Sequence, residues 1–257
     1  MKTIILLLVL ILASLAPASV FAARQGGSGK GVQASQPAPV GEDYSSLYEN
    51  LGRQEKKIAV ADPIEPFNRG VFWVNNKLYF YLFKPIARVY RVVPEPARVS
   101  VSNFFSNVAT PIRFVNAILQ LKFADAGHEL ARFFVNSTFG IGGLFDPAKK
   151  YGGLSKKDED LGQTLGHYGL GPGFYLVLPI LGPSDLRDGA GLFGDVYLDP
   201  WNYLVNSTEY LGIKGGDMET RISLSKDTYE QIMKESVDPY LFIKNAYIQN
   251  RQEAIAK

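Results

Sequence analysis

The residues able to carry chemistry are few, and none stands in a catalytic frame. There are two histidines, His128 and His167, and no cysteine. A zinc-protease helix needs His-Glu-x-x-His, because two imidazoles one turn apart must share the metal while the glutamate acts as base. His128 is followed by Glu129, but Arg132 occupies the second histidine position. His167, between Gly166 and Tyr168, is the better candidate, and its plainer reading is a structural imidazole satisfied by one hydrogen-bond partner. A serine nucleophile on a strand-to-helix elbow needs Gly-x-Ser-x-Gly; Ser184 stands beside Asp185 without that frame. Gly29-Lys30 looks like the end of a phosphate loop, but Gly31 replaces the hydroxyl residue and Arg24 replaces the first glycine. Without thiols, disulfides, zinc–thiolate sites and iron–sulfur clusters are excluded. The expectation is no enzyme and no cofactor.

What remains is polar and aromatic. Arg187 and Asp188 are neighbours in a glycine-rich stretch, readable as an ion pair or as a turn-capping Asp. Lys149, Lys150, Lys156 and Lys157, followed by Asp158, Glu159 and Asp160, read as a solvated loop. Trp73, Tyr79, Tyr81, Trp201 and Tyr203 are of the types favoured at membrane–water interfaces; one by one, each reads better as a core aromatic.

The elements that must position these groups are helical. Asp62-Pro63-Ile64-Glu65 reads as a helix start with Asp62 as N-cap. Phe67, Val71, Val74, Leu78 and Leu82 follow at helical spacing. Phe72, Trp73, Tyr79, Phe80 and Tyr81 fill the other sides, so this helix must be deeply buried or lie against lipid. Further helices are predicted from Ala97 to Val108, after Thr110-Pro111, from Asp125 to Asn136, from Thr220 to Glu235 and after Asp238-Pro239. Between Gly140 and Gly194 lie 14 of the 25 glycines. That density predicts an irregular central segment, with Phe174–Leu181 as a buried strand-like run or a dip into one leaflet. The fold class is all-α. The Asn-Ser-Thr triplets at Asn136 and Asn206 match a glycosylation acceptor by chance.

The chain of 257 residues carries a formal charge of +2 and is 46% hydrophobic, which supports a sizeable core and gives no basis for nucleic-acid binding. Lys2, an apolar run from Ile4 to Leu12 and small residues up to Ala23 read as an export signal over residues 1–22, expected to be cleaved, with an uncleaved anchor as the alternative. Residues 23–58, with Gln25–Gly31 and Gln36–Pro39, read as a flexible linker holding a nascent helix near Tyr44–Leu51. The folded domain is expected over 59–250, with 251–257 as a tail. After the signal, no apolar run reaches the roughly 18–20 residues of a spanning helix.

Several blocks then carry a family resemblance. Asp62-Pro-Ile-Glu-Pro-Phe-Asn-Arg69, Arg132–Asp146, Gly162–Gly169 with Leu178–Asp188, and Ser236–Tyr240 with Ala246-Tyr247 resemble, in order and spacing, the motifs of the MlaA/VacJ family. The resemblance implies a ring-like arrangement of amphipathic helices in the inner leaflet of the outer membrane, around an amphipathic channel. It implies passive removal of mislocalised phospholipid from the outer leaflet, with a trimeric porin and a soluble periplasmic lipid-carrier protein as partners. It places Phe67 and Asn68 where a change alters gating, and Arg187 and Asp188 among channel candidates. An envelope adaptor that docks on porins without moving lipid is the alternative, and a lipid hydrolase a third class. The family's best-known members are lipoproteins; this chain has no cysteine to lipidate, so the expectation is an unlipidated protein at the periplasmic face of the outer membrane.

Overall fold

A computed structural model describes residues 60–225 and 227–257. The expected signal, the linker with its nascent helix and the Gly29-Lys30 loop lie outside the described residues.

Helix α1, Glu65–Leu78, has Pro66 in its first turn and Ile64, not Asp62, at its N-cap. It continues through a wide turn, Tyr79–Phe83, into α2, Lys84–Tyr90. Pro85 has no N–H for the carbonyl four residues back. The ladder widens there, with the Lys84 amide bonding the Tyr79 carbonyl five residues away. Helices α3 (Glu95–Val108), α4 (Thr110–Leu119) and α5 (Phe123–Thr138) follow the predicted periodicity. Short α6, Pro147–Gly152, and α7, Leu161–His167, are capped by the side chains of Asp146 and Asp160.

The central segment is more regular than its glycines suggest. Strands β1, Tyr175–Leu178, and β2, Gly182–Asp185, form an antiparallel hairpin, with Tyr175 opposite Asp185 and Leu178 opposite Gly182. Helix α8, Leu186–Leu198, starts on an Asp185 cap and contains Gly189, Gly191 and Gly194. Gly191 and Gly194 serve contact rather than irregularity. A Cβ on Gly191 would lie 2.4 Å from the Gly162 amide nitrogen, so α7 and α8 cross backbone against backbone. After α9, Trp201–Leu204, helix α10, Ser207–Leu224, opens with a capping box between Asn206 and Glu209. The predicted Thr220–Glu235 helix is broken: α10 ends at Leu224, and Asp227, at φ 57°, precedes α11, Thr228–Glu235. Helix α12, Pro239–Ala256, has the predicted Asp238 cap, and it runs on through the expected boundary at 250.

The apolar core is small. Val60, Tyr175, Val177, Tyr240 and Ile248 are buried together, with Val71, Phe72 and Tyr247 packed against them. No helix among the described residues is long and apolar enough to cross a membrane.

Candidate functional site: a polar interior, a clamped hairpin and an amphipathic cleft

The polarity of the buried side chains is inverted. Among the described residues, 19 polar or charged side chains are buried against 11 hydrophobic ones, of which five are alanines, while 29 large hydrophobic side chains are exposed. Lys, Glu, Arg and Asp are rarely buried in water-soluble proteins unless paired, so the interior must be a network of partners.

Its first part joins α4, α5 and α6. Arg113 donates Nε to Glu129 at 2.6 Å, and Glu129 is wholly buried. The other Glu129 oxygen accepts the Lys157 amide at 2.7 Å. Arg113 also reaches the Thr110 hydroxyl and the Ser106 carbonyl, both at 3.0 Å. One turn beyond Glu129, Arg132 pairs with Asp146 at 2.8 Å, and Asn136 donates to the same carboxylate at 2.9 Å. Burial pushes the Asp146 carboxyl up, but the Arg132 pair and the Asn136 and Lys149 hydrogen bonds outweigh it and hold it below the usual range.

The second part joins α4, α7, α8 and α12. Gln120 donates to Glu159 at 2.7 Å, the Thr164 hydroxyl to Asn116 at 2.8 Å, and Asn116 to Asp195 at 2.9 Å. Asp195 accepts the Leu161 amide, and the adjacent Asp160 takes Arg251 in a two-point pair, both contacts at 2.6 Å. Arg251 also reaches Asp188, to which Tyr247 donates its hydroxyl. Arg187 closes the cluster on Asp188 at 2.9 Å and Asp185 at 3.2 Å. Four carboxylates thus face two guanidinium groups. Burial, with the Asp160 charge adding to it, raises the Asp195 carboxyl to about 6 despite its hydrogen bonds. Arg187 and Asp188 therefore sit together in a buried ion network, and the residue that caps the following helix is Asp185.

The third part is a clamp. Asn68 is fully buried on α1. Its Nδ2 donates to the Tyr175 carbonyl at 2.9 Å and to Asp62 at 2.8 Å, and its Oδ1 accepts the Val177 amide at 2.9 Å. Two turns on, Asn75 repeats the pattern, donating to the Leu178 carbonyl at 2.9 Å and accepting the Ile180 amide at 2.8 Å. Two side-chain amides thus replace a third strand along the free edge of β1. Asp62, the expected cap, instead gathers Asn68, the Tyr240 hydroxyl and Lys244. Burial raises its carboxyl, but those three hydrogen bonds win and lower it. Phe67 points the other way and is 60% exposed.

The fourth part is a cleft of about 810 Å³ between the first half of α3 and residues 139–151. Pro96, Val99, Phe139, Phe145 and Tyr151 give it apolar walls; Asn103 and Asp146 are shared with a small, wholly polar pocket that includes Asn107, Arg113 and Arg132.

The sequence-predicted aromatics divide. Trp73 and Tyr81 are exposed, at 60% and 76%. Tyr79 is half-buried against Tyr229, with ring centroids 4.4 Å apart. Trp201 packs on Phe104 at 6.2 Å, and Tyr203 donates its hydroxyl to the Tyr197 carbonyl at 2.7 Å. His128 and His167 are both exposed. Of the two glycosylation triplets, Asn136 is a buried member of the network and Asn206 is a helix cap. Sequence reasoning missed Arg113, Asn116, Gln120, Glu129, Arg132 and Arg251. The signal was available: Arg113-Asn116-Gln120 and Glu129-Arg132-Asn136 recur at three- and four-residue steps, as a buried face would.

Fold and site together define an all-α protein, with one small hairpin, whose described residues bury a network of paired charges and amides and leave many aromatic and aliphatic side chains exposed. The chain belongs to the MlaA family, whose model, described as MlaA lipoprotein, matches residues 60–254. It is 36% identical over 202 residues to the intermembrane phospholipid transport system lipoprotein MlaA of Escherichia coli, covering 76% of this chain and 78% of that protein. An uncharacterized protein of Rickettsia prowazekii is 37% identical over 209 residues, covering 80% of this chain and 83% of its own length. A solved chain from work on the structural basis for maintenance of bacterial outer membrane lipid asymmetry superposes with a TM-score of 0.64 at 35% identity, covering 76% of this chain and 99% of that one.

Proposed function

We propose that the chain is a passive component of intermembrane phospholipid transport. It removes mislocalised phospholipid from the outer leaflet of the outer membrane and so maintains lipid asymmetry. The inverted polarity carries this reading. A surface bearing 29 exposed large hydrophobic side chains is costly in water, at about 25 cal/mol per Å² of apolar area, and suits hydrocarbon. A charged interior suits the passage of a headgroup, whose burial without partners costs several kcal/mol.

In this reading the apolar faces around α1 and α2 hold the protein in the inner leaflet, with Trp73 and Tyr81 in the interface. Phospholipid crosses an amphipathic channel to a periplasmic carrier, with a trimeric porin beside it. Asn68 fixes the hairpin, Phe67 faces lipid, and the Arg187–Asp188 network stiffens the channel wall. Export by a cleaved signal, without lipidation, completes the picture. The test is complementation of a strain deleted for its own MlaA-family protein. Surface-exposed phospholipid and detergent sensitivity both fall if the reading holds. If neither changes while purified protein still co-isolates with porin, the chain is a docking adaptor that moves no lipid.

A further inference from the structure

The cleft between α3 and residues 139–151 has opposite charges on its two sides. Glu95 opens α3 and Lys150 sits in α6; both line the cleft, and neither forms an ion pair with another described residue. Lys150 only leans over the Tyr151 ring, 5.1 Å from its centroid. Two unpaired charges of opposite sign on one cavity are complementary to a zwitterion. The walls grade in polarity. Phe139, Phe145 and Tyr151 at the mouth are 73%, 54% and 79% exposed, while Asn103 and Asp146 lead inward to the polar pocket.

At that inner end two buried side-chain atoms, the Asn107 Oδ1 and the Arg132 Nε, lack a hydrogen bond. Asn107 is 7% exposed, its Nδ2 donates to the Ser137 hydroxyl at 2.9 Å, and its Oδ1 is buried without a hydrogen bond. A hydroxyl can pair either atom of the amide, so whichever way the amide is turned, one polar atom stays unmet. Backbone contact holds it there: a Cβ on Gly143, at φ +94°, would lie 2.5 Å from the Asn107 Cβ. An unmet buried polar atom is destabilising and calls for an explanation.

We propose that this cleft binds the headgroup end of a single zwitterionic phospholipid bearing a primary ammonium, with Lys150 on the phosphate, Glu95 on the ammonium and the acyl chains leaving past Phe139 and Phe145. A primary ammonium offers three N–H donors in the manner of lysine; a trimethylated one offers none, and a glycerol headgroup has no cation for Glu95. The cleft's volume falls within the usual range for small-molecule sites, roughly 300–1,000 Å³, and takes the headgroup and glycerol end rather than the whole lipid. The inference rests on the lipid-transport reading and deepens it by naming a site and a headgroup.

The experiment measures binding to the purified full chain of soluble dihexanoyl phosphatidylethanolamine, phosphatidylglycerol and phosphatidylcholine, with free phosphoethanolamine as a fourth probe. The ethanolamine lipid is expected to bind about fivefold or more tightly than the other two lipids, as one accessible charge-assisted contact allows. Glu95→Gln removes that preference, whereas Lys150→Gln weakens all three lipids alike. Circular dichroism of both variants excludes unfolding as the cause. Equal affinity for the three lipids, insensitive to both substitutions, overturns the site while leaving lipid binding intact. Phosphoethanolamine binding as tightly as its lipid overturns it in favour of a soluble phosphoester site. No binding of any lipid overturns both this inference and the transport reading.

Discussion

Replacing Asn68 with alanine removes three hydrogen bonds from a site with no solvent access. The Tyr175 carbonyl and the Val177 amide are left without partners on the buried edge of β1, and Asp62 keeps only Tyr240 and Lys244. Each orphaned buried group costs about 1–3 kcal/mol, and the vacated volume is too enclosed for full relief by water. A loss of about 3 kcal/mol is the conservative sum of these effects. For a folded region of this size, 1 kcal/mol moves the melting midpoint by about 2–4 °C, so Asn68→Ala lowers it by about 6–12 °C. Asn75→Ala is the internal control: it makes the same pair of contacts to the hairpin, but its bond to Ile180 is exposed. Water replaces the lost partner there, and the cost is about 1 kcal/mol. The assay is thermal melting in one mild detergent, with hydrogen exchange read at single amides. Exchange accelerates at Val177 in the first variant and at Ile180 in the second. If Asn68→Ala costs no more than Asn75→Ala, or if Val177 exchange is unchanged, the clamp is not what holds the hairpin.

Three further outcomes follow from the geometry. The Asp195 carboxyl, raised to about 6 from its ordinary 3.8 by burial, disfavours the folded state once ionised. Stability is therefore lost as pH rises between those values, and Asp195→Asn melts higher than the parent at pH 8 and alongside it at pH 4; a gap independent of pH contradicts the assignment. Gly191→Ala places a methyl against the Gly162 backbone and costs about 1–3 kcal/mol, while Gly212→Ala, with open space around it inside α10, stabilises by roughly 0.5–1 kcal/mol, both read by the same melts. Trp73→Glu with Tyr81→Glu, at positions 60% and 76% exposed, leaves the circular dichroism spectrum unchanged and weakens partition onto phospholipid vesicles; unchanged partition removes α1 from the membrane surface.

Legibility in the sequence depended on the range of the interaction. Asp238-Pro239 was readable as a helix start because its cap is made three residues on, to the Leu241 amide. Asp62-Pro63 has the same appearance and the opposite use, since Tyr240 and Lys244 lie 178 and 182 positions away. The glycines of α7 and α8 suggested irregularity because nothing local reveals that one helix will be pressed against another. Arg251, in a stretch that read as a tail, is held by Asp160 and Asp188. The deepest gap concerns faces. Periodicity divides α4 and α5 into a polar and an apolar side, but does not say which one turns inward. Phe123, Phe139, Ile118 and Leu119 fall on the exposed side, while Asn116, Glu129 and Arg132 are buried. The all-round apolarity of α1 was the one place where the pattern itself argued for lipid.

The polar interior also has a calorimetric consequence. The heat capacity of unfolding comes from newly hydrated apolar surface, about +0.45 cal/K/mol per Å², and is reduced by newly hydrated polar surface. Here unfolding hydrates arginines, carboxylates and amides from within, while the exposed apolar faces, covered by lipid or detergent in both states, add little newly hydrated area. The increment per residue will therefore fall below the usual 12–15 cal/mol/K. The curve of stability against temperature is correspondingly flat, so this domain will change little in stability between a cold environment and a warm one.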